Sequence, residues 1–298
     1  MNDKSNTGTL LDDPAGTGRP VPQMPLDPRV KEPEITKPGR ASEFSSSVAL
    51  ALLGAAVLLL AWQGFAAFRP DLPSPLATFT EFQTLMSDPF HDFGPNDRGI
   101  FLLLGETLKK VFGGFVLAAV VGIPVGFAMG ASRKAHKAAN PQVQIFRPVS
   151  PLAWYPLALV LFKNPFGASI LTIGVTSLWP TLINTAAGVA GVPQDHRNVA
   201  KVFRFSRGKY IRKVLLPCSM GSIITGLRLS MGIGWMVIVA TEMLSAAPGI
   251  GFFVWDQYNN GNLPAVVVAI FFIGVIGFLL DLGLKRLQSR FDYTAVAR

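Results

Sequence analysis

The sequence predicts an all-α membrane protein with six transmembrane helices, and three observations carry that prediction. Half of the 298 residues are hydrophobic and only 15% are charged, whereas a soluble domain carries about a quarter charged residues. The apolar residues fall into runs of the length that spans a bilayer, about 20 residues of helix. Lys and Arg collect in every second connection between those runs, as they do when basic loops stay in the cytoplasm.

Residues 1–46 read as a disordered cytoplasmic tail, and 47–298 as one transmembrane domain. Through Glu43 the tail holds seven prolines, six Lys/Arg and seven Asp/Glu, which leaves little to bury. It does not read as a secretory signal, because the first apolar run starts too late and runs too long. That run, Val48 to Phe68, is the first span and ends at Arg69-Pro70. A polar connection follows, with a short surface helix expected near Leu76 to Met86. Ile100 to Ala131 holds the second span, with Glu106, Lys109 and Lys110 expected at the interface. Within it Gly122, Gly126 and Gly130 repeat every fourth residue, a bare face suited to close helix packing.

A basic connection, Ser132 to Arg147, precedes a short third span from Pro148 to Phe162 that its prolines should kink. Gly167 to Val192 is the fourth span. Pro193 to Pro217 is the most basic stretch, with seven cations against Asp195 alone. It reads as two short helices, with Asp195 and Ser206 as N-caps. Ser219 to Ala247 is the fifth span, Pro248 to Pro264 a loop, and Ala265 to Leu284 the sixth span. With this alternation both termini lie inside.

Composition also excludes chemistry. One cysteine, Cys218, and three histidines cannot assemble a structural zinc site built on two or four cysteines. His91, His136 and His196 lie in predicted loops, far apart. No phosphate-binding G-x-x-x-x-G-K-[ST] loop, H-E-x-x-H or G-x-S-x-G is present, so the chain should not hydrolyse ATP itself. The net charge of +9 sits between apolar runs, which fits a membrane rather than nucleic acid.

Two polar stripes are candidates for a path through the membrane. On the fourth span Ser177, Thr181 and Asn184 share a side with Gly188 at helical spacing. These groups can solvate a small ion, or they can bind backbone carbonyls near Pro180. On the fifth span Arg228, Trp235 and Glu242 recur every seven residues, opposite a small-residue face of Gly226, Ser230 and Gly234. That stripe either lines a polar path or anchors neighbouring helices by hydrogen bonds. In the basic connection Val199, Val202, Phe203 and Tyr210 form an apolar side, read either as a lipid-headgroup contact or as a docking surface for a soluble partner.

The same connection has a more specific feature. Asn198-Val199-Ala200 followed by Leu216-Pro217 resembles the EAA loop of bacterial ABC importer permeases, the coupling helix that inserts into an ATPase subunit. That pattern has Glu-Ala-Ala, a Gly four residues after the last Ala, and a later Leu-Pro. This sequence keeps Ala200 and Leu216-Pro217, but has Asn198, Val199 and Arg204 at the other positions. RPVSPLAWYP (147–156), SLWPTLINTAAGV (177–189), TGLRLSMGIGWMVIVATEM (225–243) and GIGFFVWDQY (249–258) are similar to permeases of the nitrate/sulfonate/bicarbonate branch of type I ABC importers. The similarity runs over roughly residues 100–290.

The resemblance implies a type I ABC importer permease fold with cytoplasmic coupling helices, the coupling loop being 193–217. It implies ATPase contacts through Asn198, Val199, Ala200, Val202, Phe203, Arg204, Leu216 and Pro217. The implied partners are a second permease copy in a homodimer, two ATPase subunits and a periplasmic or lipid-anchored substrate-binding protein, within the lipids of a bacterial inner membrane. ATP and magnesium would sit on the ATPases, leaving no cofactor or metal in this chain. The implied cargo is nitrate, with nitrite beside it, the alternatives being bicarbonate, cyanate or sulfonate. Ser177, Thr181, Asn184, Arg228, Trp235 and Glu242 are the expected path residues, although Glu242 would repel an anion and is expected to be paired. An ATP-independent secondary transporter would favour an inverted internal repeat, which the sequence does not display.

Overall fold

The computed structural model describes residues 40–69, 71–94, 97–245 and 247–290. Up to Val57 the first helix, α1 (Arg40–Phe68), forms one compact unit, and Leu58 onward forms a second. The tail expected over 1–46 lies outside the described residues through residue 39, and α1 reaches back to Arg40.

In the second unit, α2 (Pro75–Ser87) starts at Ser74, whose hydroxyl accepts the Ala77 N–H at 3.2 Å. Pro75 opens the helix, where its missing N–H costs nothing. A short antiparallel ribbon follows, β1 (Asp92–Gly94) with β2 (Asp97–Arg98). His91 braces it. The hydrogen bond to the Asp88 carbonyl, and then that to the Asp97 carboxylate, raise the His91 pKa above the usual imidazole value.

The main helices are α3 (Ile100–Ala131), α4 (Arg133–Phe146), α5 (Pro151–Phe162), α6 (Pro165–Ala190), α7 (Gln194–Val202) and α8 (Arg207–Tyr210). A π-helical turn, Ile211–Leu215, joins α8 to α9 (Leu216–Ser245). Then come α10 (Ile250–Asn259) and α11 (Leu263–Ser289). Among the described residues five helices are long and apolar enough to cross a membrane, or six when α4 and α5, bent by 99° at their break, are taken together as one span.

The packing centres on α6, which lies between α3 and α9. Gly114, Gly122, Gly126 and Gly130 of α3 face Ile173, Thr181, Thr185 and Val189 of α6. The partners advance in step, so the two helices run parallel. A Cβ at Gly126 would strike the Leu182 carbonyl oxygen, and one at Gly130 the Ala186 carbonyl oxygen. The contact on the other side is antiparallel. Gly226 of α9 meets Asn184 and the Pro180 carbonyl, Gly234 meets Ile173 and Ser177, and Gly188 meets Ser219 and Ser222. Bare backbone on these faces lets helices approach where lipid offers no hydrophobic drive.

Several boundaries differ from expectation. The basic connection 132–147 is largely helical, because α4 is amphipathic and lays Val143 against Met129, Leu182 and Ala186. The third span breaks at 147–150 rather than kinking inside. Arg147 keeps helical backbone as it closes α4, whereas Pro151 holds Ser150 extended, with ψ 131°, and Pro156 is accommodated within α5. Alone, α5 is about 18 Å long at 1.5 Å per residue, too short to cross. The loop expected at 248–264 contains α10. His136 and His196 lie in α4 and α7 rather than in loops. Pro193, not Asp195, caps α7, whereas the Ser206 hydroxyl does cap α8, accepting the Lys209 N–H at 3.4 Å.

Gly126→Val should separate α3 from α6 and abolish a monodisperse purified protein. Gly105→Ala, at a position with no neighbour within 4 Å, should purify like the unchanged chain. Size-exclusion profiles in detergent check both.

Candidate functional site

Three arrangements bring polar groups together. The first is a buried ion pair. Lys110 of α3 and Glu242 of α9 meet with Nζ to Oε1 at 2.7 Å, their side chains 3% and 0% exposed. Lys110 Nζ also donates to the Pro248 carbonyl at 2.6 Å, and the Gly251 N–H donates to Glu242 Oε2 at 3.0 Å. Thr107 Oγ1 lies 3.0 Å from both carboxylate oxygens and accepts the Ile250 N–H at 2.9 Å. A Cβ at Gly249 would occupy the carboxylate's place, and one at Gly251 would strike the Val239 carbonyl. This is the physical reason for the Gly-Ile-Gly step. The network joins α3, α9 and the start of α10. Glu242 is paired, as expected, and Lys110 is buried against it rather than exposed. The signal was its place one helical turn beyond Glu106, on the side that Thr107 and Val111 also bury.

The second arrangement is the α6–α9 seam. Ser177 Oγ donates to the Ser230 carbonyl at 3.0 Å, and Ser230 Oγ donates to the Ser177 carbonyl at 2.5 Å. With its hydrogen so engaged, Ser230 Oγ receives the Thr181 hydroxyl at 2.7 Å. Ser177, Thr181 and Ser230 are fully buried, so these hydroxyls clasp two helices. Trp235 likewise faces α11, with Nε1 donating to the Ile273 carbonyl at 3.0 Å and Gly277 making room for its ring. Arg228 forms a two-point pair with Asp281 of α11 at 2.5 and 2.8 Å.

Asn184 differs from the rest of its stripe. It donates to the Pro180 carbonyl at 2.8 Å and lines a cleft of about 370 Å³ between α5, α6 and α9. Arg147, Trp154, Thr176 and Trp179 line the same cleft, with Leu229 and Ile233 on the α9 wall. Leu229 and Ile233 flank the midpoint of the 30-residue α9, so the cleft lies beside the middle of that helix. Sequence reasoning missed Arg147, Trp154, Thr176 and Trp179, since only the α4–α5 break brings the first two to α6. Arg147 is exposed. Among the described residues it has no carboxylate partner.

The third arrangement is the basic connection. Arg197 ties α7 to the end of α6, donating to the Val192, Val189 and Ala190 carbonyls at 3.1, 3.2 and 2.9 Å, the end where a cation complements the helix dipole. Ala200 is buried, as are Leu215 and Ser219 beside Leu216 and Pro217. Val199, Val202 and Phe203 stand out, the last two 78% and 68% exposed, and Asn198 is exposed beside them. The helix closes with Arg204 N–H on the Lys201 carbonyl and Phe205 N–H on the Ala200 carbonyl, both at 3.0 Å. This paired closure requires a left-handed residue. That residue is Arg204, with φ +47°, at the position where the EAA pattern has Gly.

Residues 118–293 match the family described as binding-protein-dependent transport system inner membrane component. The bicarbonate transport system permease protein CmpB of Synechococcus elongatus is 42% identical over 238 residues, covering 78% of this chain and 86% of that protein. The nitrate import permease protein NrtB of Leptolyngbya laminosa is 38% identical over 269 residues, covering 86% and 96%. Among solved structures, inward-facing MetNI methionine ABC transporter superposes with a TM-score of 0.57 at 16% identity, covering 62% of this chain and 93% of that one. It shows the fold.

Two outcomes test the geometry. Lys110→Met or Glu242→Leu alone leaves a buried charge and should cost about 3–5 kcal/mol, read as a lower detergent melting temperature, and the double variant should recover most of it. Arg204→Gly should relieve about 1–2 kcal/mol of left-handed strain and raise that temperature slightly.

Proposed function

Because this chain belongs to the family of binding-protein-dependent transport system inner membrane components, we propose that it is the membrane subunit of an ATP-driven importer for nitrate. It is an ABC importer permease of the nitrate, bicarbonate and taurine branch. Subunits of this kind are not enzymes themselves, and the ATPase is a separate subunit. The observation that carries the nitrate reading is the cleft lined by Arg147, Asn184, Thr176 and two tryptophans. Nitrate is planar, monovalent and weakly basic. It is suited by one diffuse guanidinium and neutral donors rather than by a deep cage.

In this reading a substrate-binding protein delivers the anion from outside to two copies of this chain in a bacterial inner membrane. Both termini face the cytoplasm, and ATP with magnesium acts on two ATPase subunits. Asn198, Val199, Ala200, Val202, Phe203, Arg204, Leu216 and Pro217 form the ATPase contact and its support. Of the six expected path residues, Asn184 keeps that role. Ser177, Thr181, Arg228, Trp235 and Glu242 hold the helices that frame the path. A bicarbonate reading is favoured by the 42% identity to a bicarbonate permease, against 38% for the nitrate permease. Bicarbonate is also a planar oxyanion of the same charge.

Uptake of labelled nitrate and labelled bicarbonate in a strain lacking its own systems separates the two. Nitrate accumulation that depends on this chain and its ATPase is expected, and bicarbonate accumulation alone overturns the nitrate assignment. Arg147→Gln and Asn184→Leu should each lower uptake about tenfold, as loss of about 1.4 kcal/mol of transition-state stabilisation would. Assembly should be unchanged by co-purification.

A further inference from the structure

The basic connection carries more charge than topology needs, and its arrangement is specific. Arg197, Lys201, Arg204 and Arg207 surround one recess of about 470 Å³ whose floor includes Phe205 and Tyr210. Arg197 is engaged with backbone carbonyls, and Lys209 lies over the Phe205 ring at 4.4 Å. Among the described residues Lys201, Arg204 and Arg207 have no carboxylate within 4 Å. Like charges gathered around one recess repel, so the arrangement favours whatever anion fills it.

The occupant's chemistry follows from what adjoins the recess. Val199, Val202 and Phe203 project from the same α7 and are exposed. An apolar knob beside a charged recess has the anatomy of a protein interface, an apolar core with a polar flank. A free anion would use the cations and leave the knob exposed to water.

We propose that the recess receives carboxylate side chains of the ATPase subunit, so that the permease presents the positive side of the docking contact and the ATPase groove the acidic side. The knob supplies the apolar core, and Lys201 and Arg207 set partner choice and the rate of encounter. This rests on the docking role of α7 given above.

The experiment uses the complete complex, co-expressed and purified through a tag on the ATPase. Lys201→Gln/Arg207→Gln should weaken permease retention about tenfold at 0.15 M salt and Lys201→Glu/Arg207→Glu further still, with the unchanged complex losing permease as salt rises. Val202→Asp should detach it at any salt. Retention that is indifferent to salt and to both charge variants, with Val202→Asp still detaching it, overturns the acidic-groove proposal alone. Retention that Val202→Asp also leaves intact overturns the docking reading itself. Charge variants that keep the ATPase but lose binding to phosphatidylglycerol vesicles assign the cations to lipid and overturn the proposal as well.

Discussion

The close approach of α6 to helices on both sides is the constraint on which the rest depends. Inside a bilayer a buried leucine gains nothing over one facing lipid, so helices associate through contact and hydrogen bonds. Four glycines of α3, spaced four or eight residues apart, bring one backbone against α6, and Gly226 and Gly234 bring another. Once α9 is that near, the Ser177–Ser230 clasp forms. The same nearness buries Ser177 and Thr181 between the two helices. The cleft beside Asn184 lies where α5 turns away from α6 and α9.

The Lys110–Glu242 pair acts on a different part of the molecule. A buried ion pair repays its desolvation only when every donor and acceptor is used, and here the carboxylate meets an ammonium, a hydroxyl and an N–H. A single geometry of the Pro248–Gly251 turn satisfies the Lys110 donor to Pro248 and the Glu242 acceptor for Gly251 together. That turn sets the direction of α10, whose Trp255 and Tyr258 stack on its exposed side.

The spans, the small-residue faces and the short helix after α1 were legible because lipid imposes simple demands on length and polarity. α2 and α3 fall where the pattern puts them. Partner choice was much less legible. Helical spacing placed Arg228, Trp235 and Glu242 on one stripe, but they turn to two different helices, Arg228 and Trp235 to α11 and Glu242 to α3. Periodicity fixes a direction around a helix and says nothing of what waits there. Arg147 was hidden for a related reason, since a cation next to Pro148 reads as the end of a basic loop until the 99° bend shows where it goes.

The position of α7 links the two ends of the proposed function. Through Arg197 it holds the last carbonyls of α6, and beyond the closure at Arg204 the chain continues from α8 through the π-helical turn into α9. These are the two helices whose middles wall the cleft. In the proposed coupling a displacement of α7 would reach Asn184 along α6 and Leu229 along α9. Such transmission needs a joint with more than one arrangement. The π-helical turn at Ile211–Leu215 and the strained closure at Arg204 are the irregular points on the α9 route, and Pro180, whose ring removes one helical hydrogen bond, is the irregular point on the other. Docking at the loop would be felt at the cleft because both routes are stiff except at those three points.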